Sequence, residues 1–348
     1  MVKKEDVVWA YRLCLGREPE SEKVIESWIK DAGTRQALVQ SIIASDEFKS
    51  RNAPTDQSPF WHYQSSFDAI EVINRYANKS VHPSPNYVTN FLGVKIRPNF
   101  FPSILTGLGG TVQPVPIPAN WHADIAEWAS CLRALDLTSD RFVMLELGCG
   151  WGCWMNNLGV AAKAAGKKIK LFGIEADQDH FRYAEFALSD NGILKNEYVL
   201  THGIAGKSGS LALFPRIESG INWGGAAIFN PSDAQLKDSL SSGRFVRIPI
   251  VDISALIKGE MKLDLLHVDI QGAELELLTE IFDLLCDKVR YAFIGTHSKQ
   301  IEGGLFDLFT SRGNWKLEME RAAIFRLDDG RPIVTGDGVQ AWRNCSFD

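Results

Sequence analysis

Residues 141–190, RFVMLELGCGWGCWMNNLGVAAKAAGKKIKLFGIEADQDHFRYAEFALSD, leave this chain few ways to fold. The run 143–147 is short and apolar, as a strand buried on both faces must be, and it breaks into Gly148, Gly150 and Gly152. From 151 to 165 apolar and small residues recur at helical spacing. Gly166 ends the pattern, and Lys167 and Lys168 complement a helix C-terminus. A second apolar run, 171–174, closes on Glu175, and a further helical pattern starts at Asp177 or Gln178. The unit is strand, helix, strand, with glycines at its first turn. Glycine lets backbone approach a ligand, and the helix N-terminus offers N–H groups to an anionic end of it. The acid closing the second strand can accept from both hydroxyls of a ribose. These features describe a nucleoside-cofactor site in a parallel α/β sheet.

Spacing narrows the cofactor. A dinucleotide fingerprint requires G-x-G-x-x-G, whereas the pattern here is G-x-G-x-G with Cys153 where the last glycine would fall. ELGCGWG followed by GIEAD instead resembles motif I and the post-I acid of class I S-adenosylmethionine-dependent methyltransferases. The resemblance implies a Rossmann-like seven-stranded sheet whose last strand is antiparallel, and S-adenosyl-L-methionine as cofactor. It implies Glu146 near the amino group of the methionine part and Glu175 on the ribose; Gly148, Gly150, Trp151, Gly152, Ala176 and, from a later strand end, Asp269 are expected in the same cofactor wall. The alternative reading of these residues is a glycine-rich structural turn in an ordinary α/β domain.

At 348 residues the chain has room for a full α/β domain and a smaller one. Its formal charge of −6 is mild and mixed along the sequence, which disfavours a nucleic-acid or anionic-membrane partner. No stretch reaches about 18 uninterrupted apolar residues and the N-terminus lacks a signal-peptide core, so a cytoplasmic protein is expected. The six cysteines form no C-x-x-C pair; Cys149 and Cys153, beside the glycine turn, are expected to be small buried thiols.

Residues 1–52 read as an all-helical unit. One helix over 6–15 stops at Gly16, a second is capped by Ser21 and runs to Ile29, and a third is capped by Thr34 and runs to Ala44. AYRLCLGREPE with the later ALVQSIIASDEF resembles a small bacterial helical module, AYRxxLGRxPD, that is commonly joined to glycan-modifying enzymes, which implies a docking role toward other glycan-biosynthesis proteins. Residues 53–120 are expected to be a linker, proline- and serine-containing over 53–59, followed by an irregular segment with one strand at 87–96. The methyltransferase domain is expected over 121–348. Its lead-in helix carries Ile125, Trp128, Ala129, Leu132 and Leu135 on one face, with Trp121, His122 and Glu127 as candidates to close over a ligand. A plain covering helix is the other reading. A third strand over 198–204 ends at Ala205, Gly206 and Lys207, and the family resemblance puts Ile204 and Ala205 beside the adenine. The loop ESGINWGGAAIF offers Asn222 and Trp223 to an acceptor, or is a surface turn.

The second informative stretch is LDLLHVDIQGAELELL. Leu265, Leu266 and Val268 read as a buried strand, and Gly272 opens a helix continuing through Leu285. Asp269, Gln271 and Glu274 therefore fall at the C-terminal end of a strand, where α/β sheets bind ligands. HVDIQGAELELL resembles the K-x-D-x-E-G-A-E-x-x-x-L signature of the FkbM family of methyltransferases, with His267 at the usual Lys and Gln271 at the usual first Glu. A fifth strand, 291–295, delivers Thr296, His297 and Ser298; further strands are expected at 316–320 and 339–343. Methyl transfer to a neutral oxygen or nitrogen requires loss of a proton, and an imidazole is suited to take it. His297 is therefore expected as base, with Asp269 or Glu274 orienting it, and Gln271, Asn222, Trp223 and His122 toward the substrate. No metal is expected. The resemblance implies a sugar hydroxyl as acceptor; an N-methyltransferase acting on a peptide or amide, and an idle cofactor-binding scaffold, are the alternatives.

Overall fold

The computed structural model describes residues 2–15, 17–45, 47–48, 63–206 and 212–348; the linker expected over 53–59, and Lys207, lie outside them. The described residues form two units, one ending at residue 48 and one beginning at residue 63. The first consists of the helices Lys4–Leu15, Glu22–Asp31 and Arg35–Ala44, closed around Val7, Tyr11, Ile25, Leu38 and Ile42. Thr34 caps the third by accepting from the Ala37 N–H (3.1 Å), whereas Ser21 occupies the cap of the second without making that bond.

In the second unit, eight strands make one sheet: β1 Gln64–Ser65, β2 Arg141–Leu147, β3 Lys168–Glu175, β4 Tyr198–His202, β5 Leu265–Val268, β6 Tyr291–Thr296, β7 Trp315–Arg321 and β8 Gly338–Asn344. Their spatial order is β1-β7-β8-β6-β5-β2-β3-β4. The five strands β4, β3, β2, β5 and β6 run parallel, and β8 enters antiparallel between β6 and β7. This is the Rossmann-like α/β sheet with an antiparallel last strand expected of the chain; the short β1, paired to β7, extends its edge by one.

Alternation along the strands sorts side chains into two apolar layers. Phe142 and Met144 pack with Trp128, Trp154, Leu158 and Phe293 on one face; Val143, Leu145, Leu147, Leu266 and Val268 pack with Leu278, Phe282 and Leu305 on the other. Each large side chain so buried stabilises the fold by roughly 1.5–3 kcal/mol. Ile73, Val88, Leu92 and Phe100 belong to the first layer, so residues 63–120 share the core of the sheet.

Three elements depart from the sequence reading, and one of them is the strand expected over 198–204, which ends at His202 and leaves Ile204–Ala205 paired outside the sheet. The strand expected over 87–96 is two short strands, Val88–Thr89 and Lys95–Ile96, because Asn90 Oδ1 accepts from the Leu92 and Val94 N–H groups and turns the chain. The single helix expected from Gly272 to Leu285 breaks at Ile281 into Glu274–Glu280 and Phe282–Lys288. The sheet order reverses between β2 and β5, whose ends meet with Leu147 opposite Val268. A crevice at that switch point is where such a sheet binds ligands.

Candidate active site

Strand alternation determines what the glycine turn can do. Glu146 falls on the Phe142 side of β2, beneath the helix Cys153–Ala164, where its Oε1 accepts from the Trp154 N–H (3.1 Å) and its Oε2 from the Met155 N–H (2.8 Å). The Gly148 and Cys149 N–H groups both donate to the Ile174 carbonyl, and the Gly150 N–H donates to Glu175 Oε2 (2.6 Å). Glu175 Oε1 accepts from the Asp177 N–H (2.8 Å). The amides expected to meet an anionic ligand are thus already bonded inside the chain. The Gly150, Trp154, Met155 and Asp177 amides go to the two strand-end acids because these are buried, 1% and 6% exposed, and require donors. Burial pushes Glu146 up to about 8 and Glu175 up to about 7, against the pull of those amide bonds. Gly148, at φ +73°, lies so close to β5 that a Cβ would stand 2.1 Å from the Asp269 carbonyl oxygen.

A cavity of about 520 Å³ opens here. Ala176, Ile204, Ala205, Phe214 and Phe229 make one end of it apolar; Ile204–Ala205 is held there by parallel pairing with Ile250–Val251. Trp223 lies over Gly150, stacked between Phe101 (centroids 4.3 Å apart) and His180 (3.8 Å). Glu146, Gly148, Gly150, Trp151 and Glu175 form the floor, and His122, Asp269, Gln271 and His297 also line the space. His122 sits against Cys153 Sγ, and burial pushes it down to about 4, so its ring is neutral. Gly152, Glu274 and Asn222 do not reach the wall. Gly152 heads the helix Cys153–Ala164 and packs on Ala184, and Asn222 is exposed, with its N–H on the Glu218 carbonyl. Trp121 packs against Phe101 away from the cavity.

At the ends of β5 and β6, three side chains line up from cavity to core. Asp269 is 47% exposed, His297 13% and Glu274 0%. His297 Nε2 is 3.4 Å from Asp269 Oδ1, and Nδ1 is 3.0 Å from Glu274 Oε1. Glu274 also accepts from the Ile270 (3.0 Å) and Gly272 (3.1 Å) N–H groups, which pin it inside the loop. Burial works against a charged His297, but the flanking carboxylates outweigh it and raise the ring to about 10. Between two carboxylates the ring has a lone pair on Nε2 only once the proton there has been displaced. His297, expected as base, lines the cavity, and Glu274, fully buried, acts on the cavity only through His297. Asp269 has burial against its charge as well, yet the His297 contact leaves it below the usual carboxylate range. The three residues offer ligand atoms within 4.8 Å of one another.

Gln271, expected toward the substrate, and His267 lie in the wall, and Arg321 and Asp337 join them without a local signal. Gln271 Nε2 donates to Asp269 Oδ1 (3.2 Å), from a left-handed backbone at φ +56°. His267 shares a sheet face with Trp154 and Phe293 and stacks on the latter (4.8 Å). Arg321, ending β7, pairs through Nε with Asp124 Oδ2 (2.7 Å) and through Nη2 with Glu127 Oε1 (3.2 Å), and Asp337 precedes β8. Only the pairing of β6, β8 and β7 brings Arg321 and Asp337 to the cavity, and no sequence spacing announces it.

No family model matches the chain. It is 43% identical over 262 residues, 75% of its own length and 93% of the relative's, to a protein of Jannaschia sp. (strain CCS1) named "Putative methyltransferase". Among solved structures it is similar to methyltransferase FkbM from Methylobacillus flagellatus KT, with 13% identity and a TM-score of 0.38 over 63% of this chain and 54% of that one. It is also similar to the METTL16 MTase domain, with 16% identity and a TM-score of 0.35 over 63% of this chain and 67% of that one.

Proposed function

This chain belongs to a family of methyltransferases, and we propose that it moves the sulfonium methyl group of S-adenosylmethionine onto a sugar hydroxyl in bacterial polysaccharide or natural-product glycan synthesis. The observation that carries the reading is the charge of the cavity. Asp269 is held charged, and Glu127, Glu146, Glu175 and Asp337, which burial keeps protonated to higher pH, are acids that a cation would draw into their charged forms; among the described residues they face one guanidinium in the wall, Arg321, that is ion-paired, and the imidazolium of His297. Such a wall favours a cationic donor, and the Gly148, Cys149, Gly150 and Gly152 amides are already bonded, so a dinucleotide's pyrophosphate would meet acids where it needs donors. The same charge opposes a nucleic acid or any other anionic acceptor.

In this reading the methionine part lies along the turn from Gly148 to Trp151, with Glu146 beneath its amino group. Glu175 keeps a lone pair on each oxygen for the ribose hydroxyls, since each accepts one amide at present. The apolar end around Ala176, Ile204 and Ala205 takes the adenine. S-adenosylmethionine supplies the electrophilic methyl carbon. The chain supplies placement, which is worth about 7–11 kcal/mol of the barrier where alignment is good, and Asp269, the exposed member of the strand-end group, is the carboxylate that meets the acceptor's proton. The FkbM-like HVDIQGAELELL supports a sugar oxygen as acceptor, and the N-terminal helices are read as a docking element toward other glycan enzymes. An amine is the second reading, because carboxylates attract it equally.

Calorimetry with S-adenosylhomocysteine and with NAD, on the protein and on Glu175→Ala, tests the donor. Micromolar binding of the first alone is expected, weakened by about 1.5–3 kcal/mol in the variant. Preference for NAD would sink the reading. Labelled methyl offered with a panel of methyl pyranosides and of peptide amines tests the acceptor, and transfer only to nitrogen would overturn the sugar assignment.

A further inference from the structure

We infer that the cavity holds a divalent cation, ligated by His297 Nε2, Asp269 Oδ1 and Asp337 Oδ2, with Glu274 as the carboxylate that orients the histidine. Nε2 stands 3.4 Å from Asp269 Oδ1 and 4.0 Å from Asp337 Oδ2. Both separations are long for a hydrogen bond, whose heavy atoms lie about 2.7–3.2 Å apart. They suit two ligands on one ion: with ligand bonds of about 2.1 Å, neighbouring ligand atoms lie roughly 3.0–3.4 Å apart and opposite ones roughly 4.2 Å apart.

The other ring nitrogen is arranged as metal-bound histidines require. Nδ1 faces Glu274 Oε1 at 3.0 Å, and Glu274 is immobilised by the Ile270 and Gly272 N–H groups, so a cation that displaces the Nε2 proton leaves the remaining one on Nδ1, beside that carboxylate. Asp269 is steadied by Gln271 Nε2 at 3.2 Å. Asp269 and Asp337 are 47% and 58% exposed, which leaves the remaining coordination positions open to the cavity.

A second observation points to a ligand in the same place. His267, on β5 and two residues before Asp269, is 3% exposed, lines the cavity, and has no partner among the described residues on either ring nitrogen. Buried polar atoms are ordinarily bonded, and a hydroxyl or water on the ion's open side would satisfy His267. Two oxygens and one imidazole, with no thiolate, select an ion of the Mg²⁺ and Mn²⁺ class.

The inference rests on the methyl-transfer reading for its consequence. An acceptor hydroxyl bound to the ion is more acidic, and its oxygen forms a bond to the methyl carbon as the carbon–sulfur bond breaks. The electron pair goes to sulfur, and the proton leaves to the second oxygen of Asp269.

The test is a titration of chelator-treated, full-length protein with Mn²⁺, read by the resonance of the free ion. One ion per chain is expected, bound at least tenfold more weakly by Asp337→Asn and Asp269→Asn, and unchanged by Asp233→Asn, which alters an exposed acid outside the cavity. S-adenosylhomocysteine binding, measured on the same samples, reports on the donor separately. Mn²⁺ binding without it would overturn the donor and keep the ion. Absence of a stoichiometric Mn²⁺, or equal affinity in Asp337→Asn and Asp233→Asn, would overturn the ion site.

Discussion

Gly148 and Gly150 share a conformation but differ in what surrounds them. A Cβ at Gly148 would meet the Asp269 carbonyl at 2.1 Å, just past β5, and that backbone cannot move without disturbing the β2–β5 ladder. A Cβ at Gly150 would meet the Trp223 ring at 3.1 Å, and a loop side chain can give way. Gly148→Ala should therefore cost roughly 2–4 kcal/mol, combining overpacking with a left-handed alanine. Gly150→Ala should lose about half of that or less and displace Trp223 from its stack. Denaturant midpoints of the two variants check the order, and equal losses would mean that φ alone matters. Both also lie under the proposed methionine part, so Gly150→Ala should weaken S-adenosylhomocysteine binding even where its stability is close to that of the parent.

Most elements were legible where one physical cause acts locally. The strands β2, β3, β5 and β6 are buried on both faces and read as short, mostly apolar runs, and the helix Gln178–Asp190 starts where Asp177 can accept from the Asp179 and His180 N–H groups. β1 has two exposed residues and no pattern, so its pairing with β7 could not be read. The strand-end acids were legible as residues but not as geometry. Which of them faces solvent depends on the turn at Gly272, and Asp337 reaches His297 through β8. The Asp177 cap itself yields a prediction: Asp177→Ala should destabilise the sheet-bearing unit by about 1 kcal/mol. Asp177 Oδ1 also accepts from Ser219 (3.2 Å), tying the helix to the loop that carries Trp223. Hydrogen exchange at 178–182 and 217–224 should rise together; a rise confined to the helix would mean that the loop is held by its aromatic stack alone.

Across the molecule, burying two acids in one cavity makes stability depend on pH. Burial raises Glu146 to about 8 and Glu175 to about 7, whereas an unfolded glutamate titrates near about 4.3. Below about pH 4 both states hold these protons, and the contribution is complete. Between there and about pH 8 the unfolded chain has lost protons that the folded chain keeps, so stability falls as pH rises, and above about pH 8 the contribution is gone. Other buried groups titrate in the same window, Glu127 among them, pushed to about 8 by burial and the charge of Asp124. The informative quantity is therefore a difference. The melting temperature of the parent minus that of Glu146→Gln should drop from pH 5 to pH 8, on top of a constant offset for the lost amide bond, and a flat difference would mean that Glu146 is ionised throughout. A cationic donor reverses the trend. Binding beside the two carboxylates favours their charged forms, so the upward shift in melting temperature given by S-adenosylmethionine should be larger at pH 8 than at pH 6. Stabilisation by S-adenosylhomocysteine, which lacks the sulfonium charge, should change less, and an equal pH response from both ligands would place the sulfonium away from Glu146 and Glu175.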